Sequence, residues 1–344
     1  MNKRSKNISK LMVLGPRYHI TGQKGGLVAS FELFLNELDE KKIKYIAIDT
    51  NKKNYKNIVH AIISIYLKIL SKILKVDKVM IHGTAKDFIY IAPIVTLVSK
   101  LFGKSLILKK FAGNFHEIYE GCNFVVRRLI EYVLKSSQIN FFETKYLVKY
   151  YKKFNFNTFY FPNVRKKDFN LKEIQFKKKF IFLGHIRKEK GVKELVEASN
   201  KLNSKYTVDF YGSVFDQFLL KEIEKSHASY KGVLEYENVT STLKNYDILV
   251  LPSYREGYPG VIIEAFSVGL PVIATSLDGI KEMVTDGKNG LLVPFKDTNA
   301  LLIAIQSFNE KNYKSFSKEA WKSFDQFDSK KITSQVLDKI YEFK

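Results

Sequence analysis

Two glutamates eight residues apart, Glu256 and Glu264, are the side chains of this sequence best placed to do chemistry. They bracket Gly257, Pro259 and Gly260 in the run Leu251-Pro-Ser-Tyr-Arg-Glu-Gly-Tyr-Pro-Gly-Val-Ile-Ile-Glu-Ala-Phe-Ser-Val-Gly-Leu-Pro-Val-Ile-Ala-Thr275. The pattern predicts a buried strand ending at Leu251, a glycine-rich loop, and a short helix that opens at Gly260 and stops at Gly269, with Pro271 just beyond. Free amides at a helix start attract an anion, and glycines let a phosphate approach the backbone. A carboxylate beside such a start can accept two hydroxyl hydrogen bonds, as a ribose diol offers. Taken as a bare pair, the two glutamates also fit ordinary capping or surface roles. Other chemistries leave no trace: there is no Cys/His cluster at metal spacing, no Asp-x-Asp, no Walker loop and no Gly-x-Ser-x-Gly elbow.

Short apolar runs alternating with longer amphipathic ones must hold these residues. Strands are expected at Lys10–Leu14, Tyr45–Ile48, Val79–His82, Ser105–Phe111 and Ile139–Glu143, separated by helical patterns at 27–38, 57–75, 86–101, 122–135 and 145–154. After the turn at Pro162-Asn163 a new cycle begins. Its strands are expected at 180–184, 206–211, around 232–235, and at 247–251, 271–275 and 290–293; its helices are expected at 192–202 and 260–268, with a helical tail from 298. This alternation predicts an α/β chain of two Rossmann-like, doubly wound parallel-sheet domains. The expected divisions are 1–170, 171–325, and a C-terminal helix over 326–344 that returns to the first domain.

Of 344 residues, 57 are Lys or Arg and 35 are Asp or Glu, a formal net charge of +22, and 45% are hydrophobic. Ample apolar material excludes a disordered or collagen-like chain. One cysteine, Cys122, cannot form an internal disulfide and fits a reducing compartment. The apolar run Leu11–Leu14 is too short for a signal-peptide core, and no apolar stretch is long enough to span a bilayer. Charge is uneven: residues 1–170 hold 31 basic against 12 acidic residues, so the excess lies almost wholly in the first half. Such a half is expected to meet something anionic: nucleic acid, a membrane surface or a phosphorylated ligand. No RNP, zinc or helix-turn-helix signature supports nucleic acid, and no nucleic-acid partner is expected.

The run 246–292 resembles the Glu-x7-Glu signature of retaining, nucleotide-sugar-dependent glycosyltransferases, family 4, of the GT-B fold. The order of the later motifs Asp278-Gly-Ile-Lys-Glu282 and Asp286-Gly-Lys-Asn-Gly-Leu-Leu-Val293 also matches. The resemblance implies two domains facing a cleft, with Glu264 on the donor ribose and Glu256 on hydroxyls of the transferred sugar. The amides of Tyr258, Gly260 and Val261, beside Gly257 and Pro259, would face the sugar and diphosphate. A second block, Phe182-Leu-Gly-His-Ile-Arg-Lys-Glu-Lys-Gly-Val192, resembles the family's Gly-Arg-Leu-x-x-x-Lys-Gly loop. It implies a donor loop at Gly184, with Lys190 neutralising the departing diphosphate. His185 stands where an arginine is common, so Arg187, or His185 when protonated, would supply the second cation. Charge grows on the leaving oxygen as the glycosidic bond breaks, and fixed cations stabilise it.

The first half resembles the family through Gly22-Gln-Lys-Gly25-Gly26, with Gly25 and Gly26 near the donor phosphates, and through Pro162-Asn163. Acceptor-side candidates are His82, Asn114 and His116. The implied activity is transfer from a nucleoside-diphosphate sugar, without metal or other cofactor, to a lipid-linked or saccharide acceptor in bacterial surface polysaccharide assembly. The lysine-studded helix at 57–75 and the basic stretch around 98–110 fit docking on an anionic membrane face. The expected location is cytoplasmic, peripheral to the inner face of that membrane. A sugar-nucleotide hydrolase or epimerase, and more remotely a nucleic-acid binder, are the competing readings.

Overall fold

Leu11–Gly15 (β1) is apolar throughout and wholly buried, the composition of a strand covered on both faces of a parallel sheet. It pairs in parallel with Tyr45–Asp49 (β2) and Lys78–Gly83 (β3), in registers Leu11↔Tyr45 and Leu11↔Lys78. Ser105–Lys110 (β4), Ile139–Phe142 (β5) and Thr158–Tyr160 (β6) complete the order β2-β1-β3-β4-β5-β6. The computed structural model describes residues 10–19, 25–167 and 175–343. The chain divides into two compact units, Met1–Val164 with Ser329–Lys344, and Arg165–Asp328.

In the first unit, one face of the sheet is covered by Phe31, Phe34, Leu35 and Leu38 of helix Gly26–Glu40, and by Ile332, Val336 and Ile340 of helix Ser329–Glu342. Hydrogen bonds fix the C-terminal helix there: buried Ser329 Oγ donates to Glu37 Oε1 at 2.6 Å, and Lys78 Nζ donates to the Phe343 carbonyl at 2.7 Å. Helices Ile58–Lys72, Ala92–Leu101 and Phe124–Ser136 pack Ile65, Ile69, Val95, Ile130 and Val133 against the other face.

The second unit repeats the plan. Lys179–Leu183 (β7), Thr207–Tyr211 (β8), Ser229–Tyr230 (β9), Ile248–Leu251 (β10), Val272–Thr275 (β11) and Gly290–Val293 (β12) form a parallel sheet of order β12-β11-β10-β7-β8-β9. Strand order reverses between β7 and β10. The carboxyl ends of these two strands therefore open the crevice in which doubly wound sheets hold ligands.

The chain divides at Val164/Arg165 and Asp328/Ser329, against expected divisions after 170 and 325. Arg165 stays with the second unit because its amide bonds the Phe327 carbonyl and it bridges Asp328. The expected strand around 232–235 is absent: β9 ends at Tyr230, and Gly232 turns the chain at φ +89°. The apolar run 86–101 is two helices, Ala85–Tyr90 and Ala92–Leu101, because Pro93 suits only a first turn. The tail is likewise broken, into Thr298–Ser307, Glu310–Ser323 and Ser329–Glu342; Asn309 begins the second by accepting from the amides of Lys311 and Asn312.

Candidate functional site

Two glycines fasten the loops at the crevice of the second unit. Gly191 ends the turn Lys188–Lys190 after β7, with φ +66°, and a Cβ there would lie 2.0 Å from the Pro252 carbonyl oxygen after β10. At Gly279 a Cβ would lie 1.8 Å from the Gly257 carbonyl oxygen. Only glycine lets these backbones touch. The Tyr254 amide donates to the Glu189 carbonyl at 2.9 Å, and Thr275 Oγ1 at the end of β11 donates to the Ser253 carbonyl at 2.6 Å. Four segments that are separate in sequence thus form one surface: 184–191, 252–260, the end of β11, and the turn at Asp278-Gly279.

On that surface Lys190 Nζ lies 2.5 Å from Glu256 Oε1, which also accepts from Ser253 Oγ at 2.8 Å. The two residues singled out separately in the sequence are therefore an ion pair. Helix Gly260–Ser267 begins after Pro259 with no side-chain cap and no acidic residue in its first turn. The first amides of such a helix lack intrahelical acceptors and carry its positive end. Tyr258 is buried, its ring 6.2 Å from that of Phe327, so it can offer a ligand its backbone rather than its ring.

Glu264 has a partner that the sequence did not reveal. Arg165 Nε lies 2.7 Å from Glu264 Oε1, and the side chains are only 6% and 11% exposed. The guanidinium also sits 5.9 Å from the Tyr236 ring centre. The pair uses one carboxylate oxygen; Oε2 makes no hydrogen bond among the described residues. Arg165 follows the turn at Pro162-Asn163, and 99 positions separate it from Glu264. No spacing rule connects them.

Arg187 is exposed and 3.7 Å from Glu189. His185 lies edge-on to Phe215 at 4.7 Å. Burial, then the charges of Arg187 and Lys190, hold its imidazole below the ordinary value, so it is neutral near pH 7. Among the described residues no group of three His, Cys, Asp or Glu side chains could hold a metal ion.

In the first unit, Gly25 precedes helix Gly26–Glu40, whose start also has no side-chain cap; Gly22 to Lys24 lie outside the described residues. His82 does not face a solute. It is 1% exposed, among the rings of Phe31, Phe34, Phe111 and Phe161, and its Nε2 is 3.4 Å from Met80 Sδ. Burial, aided by Lys109, keeps this imidazole well below its usual value. His116 packs against Tyr146 at 4.8 Å and Tyr150 at 6.0 Å, and Asn114 precedes its helix, Phe115–Gly121, without capping it. The basic stretch around 98–110 is also less exposed than its composition implies. Lys109 and Lys110 are both 1% exposed, donating to the carbonyls of Phe161 and Phe111, and Lys109 lies 3.9 Å from Glu143.

The two sheets and their order define the GT-B fold. The crystal structure of Anabaena Alr3699/HepE in complex with UDP superposes at a TM-score of 0.74 over 97% of this chain and 100% of that one, with 14% identity. Residues 163–323, which carry every loop of the second-unit surface, match the model of the family glycosyl transferases group 1. An uncharacterized 41.2 kDa protein in the cps region of Klebsiella pneumoniae is 33% identical over 168 residues, 46% of this chain and 45% of that protein. The N,N'-diacetylbacillosaminyl-diphospho-undecaprenol alpha-1,3-N-acetylgalactosaminyltransferase of Campylobacter jejuni is 28% identical over 185 residues, 52% of this chain and 48% of that enzyme. The chain spans about half the length of the curated relatives it matches.

Proposed function

We propose that the protein is a retaining glycosyltransferase that moves a sugar from a nucleoside-diphosphate sugar to a hydroxyl of a lipid-linked or polysaccharide-precursor acceptor. The observation that carries this reading is the gathering of the Lys190–Glu256 pair, Glu264 and an uncapped helix start at the strand-order reversal of the second unit. Glu264 Oε2 accepts from the donor ribose, and Glu256 accepts from hydroxyls of the sugar. Lys190 and Arg187, with the amides of Gly260 and Val261, hold the diphosphate. The bond between the sugar's anomeric carbon and the diphosphate oxygen breaks while a bond to the acceptor oxygen forms on the same face. The acceptor's proton passes to the leaving phosphate oxygen, so no protein nucleophile is needed. Positioning and charge stabilisation supply the rate.

Bacterial surface polysaccharide assembly is the setting that the Klebsiella relative's cps region favours, and the name of the Campylobacter relative supports a diphospho-lipid acceptor. The UDP in the Anabaena structure makes a uridine nucleotide the first donor to try. Among the described residues no helix is long and apolar enough to cross a membrane. We place the enzyme peripherally on the cytoplasmic face, held by the basic first unit. A panel of sugar nucleotides, with released nucleotide and product anomer as readouts, tests the assignment. Glu264→Ala and Lys190→Ala abolish transfer in a chain that still folds, and EDTA leaves the rate unchanged. Full activity in either variant refutes the site, and free sugar formed at the same rate without acceptor refutes transfer.

A further inference from the structure

Residues 50–116 hold twelve lysines against two acidic residues, Asp77 and Asp87. Both acids are engaged within the fold: Asp77 accepts from the Lys10 amide at 2.9 Å, and Asp87 accepts from the amide and hydroxyl of Thr84, each at 2.8 Å. Lys78, Lys109 and Lys110 are buried, which leaves nine lysines reaching solvent with no free acid among them. Helix Ile58–Lys72 lies within this segment and buries only Ala61, Ile65 and Ile69. Ile58, Val59, Ile62, Ile63, Leu67 and Leu70 are exposed, an arrangement that costs free energy in water unless something covers it.

Part of this face is a groove rather than a flat patch. A cavity of about 440 Å³ runs between the start of helix Ile58–Lys72 and helix Ala85–Tyr90, walled by Ile58, Ile62 and Ile65 on one side and by Tyr90 and Ile94 on the other. Among the described residues its only charged lining side chains are Lys52 and Lys86. Tyr66 Oη donates to the Tyr90 carbonyl at 2.8 Å and ties the walls together. The two helices follow β2 and β3, so the groove opens beside the carboxyl edge of the sheet, where doubly wound folds hold ligands.

We infer that this groove holds the hydrocarbon chain of a lipid phosphate, with Lys52 and Lys86 meeting the phosphate. The lining is mostly isoleucine side chains and tyrosine rings with two lysines, which suits a hydrocarbon chain with an anionic end better than a free sugar. The charge at its mouth has one sign, complementary to phosphate. The inference deepens the proposed function by naming the acceptor class, a saccharide carried on a lipid phosphate or diphosphate.

The test measures binding of radiolabelled farnesyl phosphate to the full chain by equilibrium dialysis below the probe's micelle concentration. Ile62→Asp and Ile94→Asp sit on opposite walls at exposed positions, so the fold survives them. Each weakens binding by about ten- to a hundredfold, the worth of one buried isoleucine. Leu67→Asp, outside the groove, leaves it within about twofold. Lys86→Ala weakens binding and flattens its salt dependence, while equimolar inorganic phosphate does not compete. The inference is overturned if Leu67→Asp weakens binding as much as the wall variants do, or if inorganic phosphate displaces the probe. Binding is also measured in Glu264→Ala, which keeps the groove. Loss of the probe from wild type alongside transfer to a soluble acceptor overturns the groove alone. Groove binding without turnover of any donor supports it while removing the proposed function.

Discussion

Arg165→Met tests whether the unforeseen arginine holds the carboxylate that the proposed mechanism needs. In the native structure Arg165 Nε and Glu264 Oε1 are 2.7 Å apart, with side chains 6% and 11% exposed. Removing the cation leaves a carboxylate with little access to water. Breaking a buried pair from one side costs about 3–5 kcal/mol. For a unit the size of Arg165–Asp328, each kcal/mol lowers the melting temperature by about 2–4 °C, so the expected fall is roughly 6–20 °C. The double variant Arg165→Met/Glu264→Gln removes both charges and returns stability to within about 1 kcal/mol of wild type, because no orphan charge remains. Nucleotide binding behaves differently. UDP affinity, measured by calorimetry, falls in the single variant because Glu264 is no longer oriented, and stays low in the double variant because the charged acceptor is gone. Arg165→Lys restores most of the stability and part of the affinity, since an ammonium supplies the charge without the planar guanidinium geometry. The reasoning is refuted if Arg165→Met melts with wild type and binds UDP equally well. Recovery of UDP affinity in the double variant refutes the orienting role alone.

Burial lowers Lys110 to about 7 and Lys109 to about 8, both from 10.5. Between those values and 10.5 the unfolded chain binds more protons, so the first unit gains stability as pH rises from 7 to 10, by about 1.4 kcal/mol per pH unit for each lysine titrating. Denaturant midpoints across that range measure the rise, and Lys110→Met flattens it; a level wild-type profile contradicts the burial. Gly191→Ala puts a Cβ 2.0 Å from the Pro252 carbonyl oxygen at φ +66°, and costs about 1–3 kcal/mol in strain together with most of the transferase activity, read by thermal melts and nucleotide release. Arg187→Ala lowers turnover about tenfold while His185→Gln changes it less than about twofold, because the imidazole is already neutral at pH 7; equal losses refute that division. Raising salt from 50 to 300 mM releases the chain from anionic vesicles but changes UDP affinity little, and a parallel loss of both contradicts the separation of charge between the units.

The gathering of the second-unit candidates was legible because they sit in continuous loops. Glu256, Gly257, Pro259, Gly260 and Glu264 lie within one strand–loop–helix, and the adjacency of the β7 and β10 loops follows from the doubly wound order. Arg165 was not legible, because the link from the start of the unit to its central helix is purely tertiary. His82 shows a different limit. A histidine at a strand's carboxyl end can face solvent or the sheet's covered face. Here it shares a face with Met80, two residues earlier, under the Phe31 and Phe34 rings. Lys109 and Lys110 fail for a related reason. Composition reads lysine as surface, but carbonyl acceptors, aromatic rings and Glu143 compensate their burial.

These buried lysines also change what the charge excess means. In the second unit three cations near the crevice are matched: Lys190 with Glu256, Arg165 with Glu264, and Arg187 with Glu189. For the proposed donor, a diphosphate would exchange with carboxylates already in place, so its selection would rest on geometry rather than long-range attraction. Among the described residues the surface lysines of 50–116 have no such partners, and they lie among exposed isoleucines and leucines. Unmatched positive charge alone would suit any polyanion. Combined with an apolar face and a lysine-mouthed groove, it fits the proposed docking on a lipid layer, a polyanion that is anionic at its surface and hydrocarbon beneath.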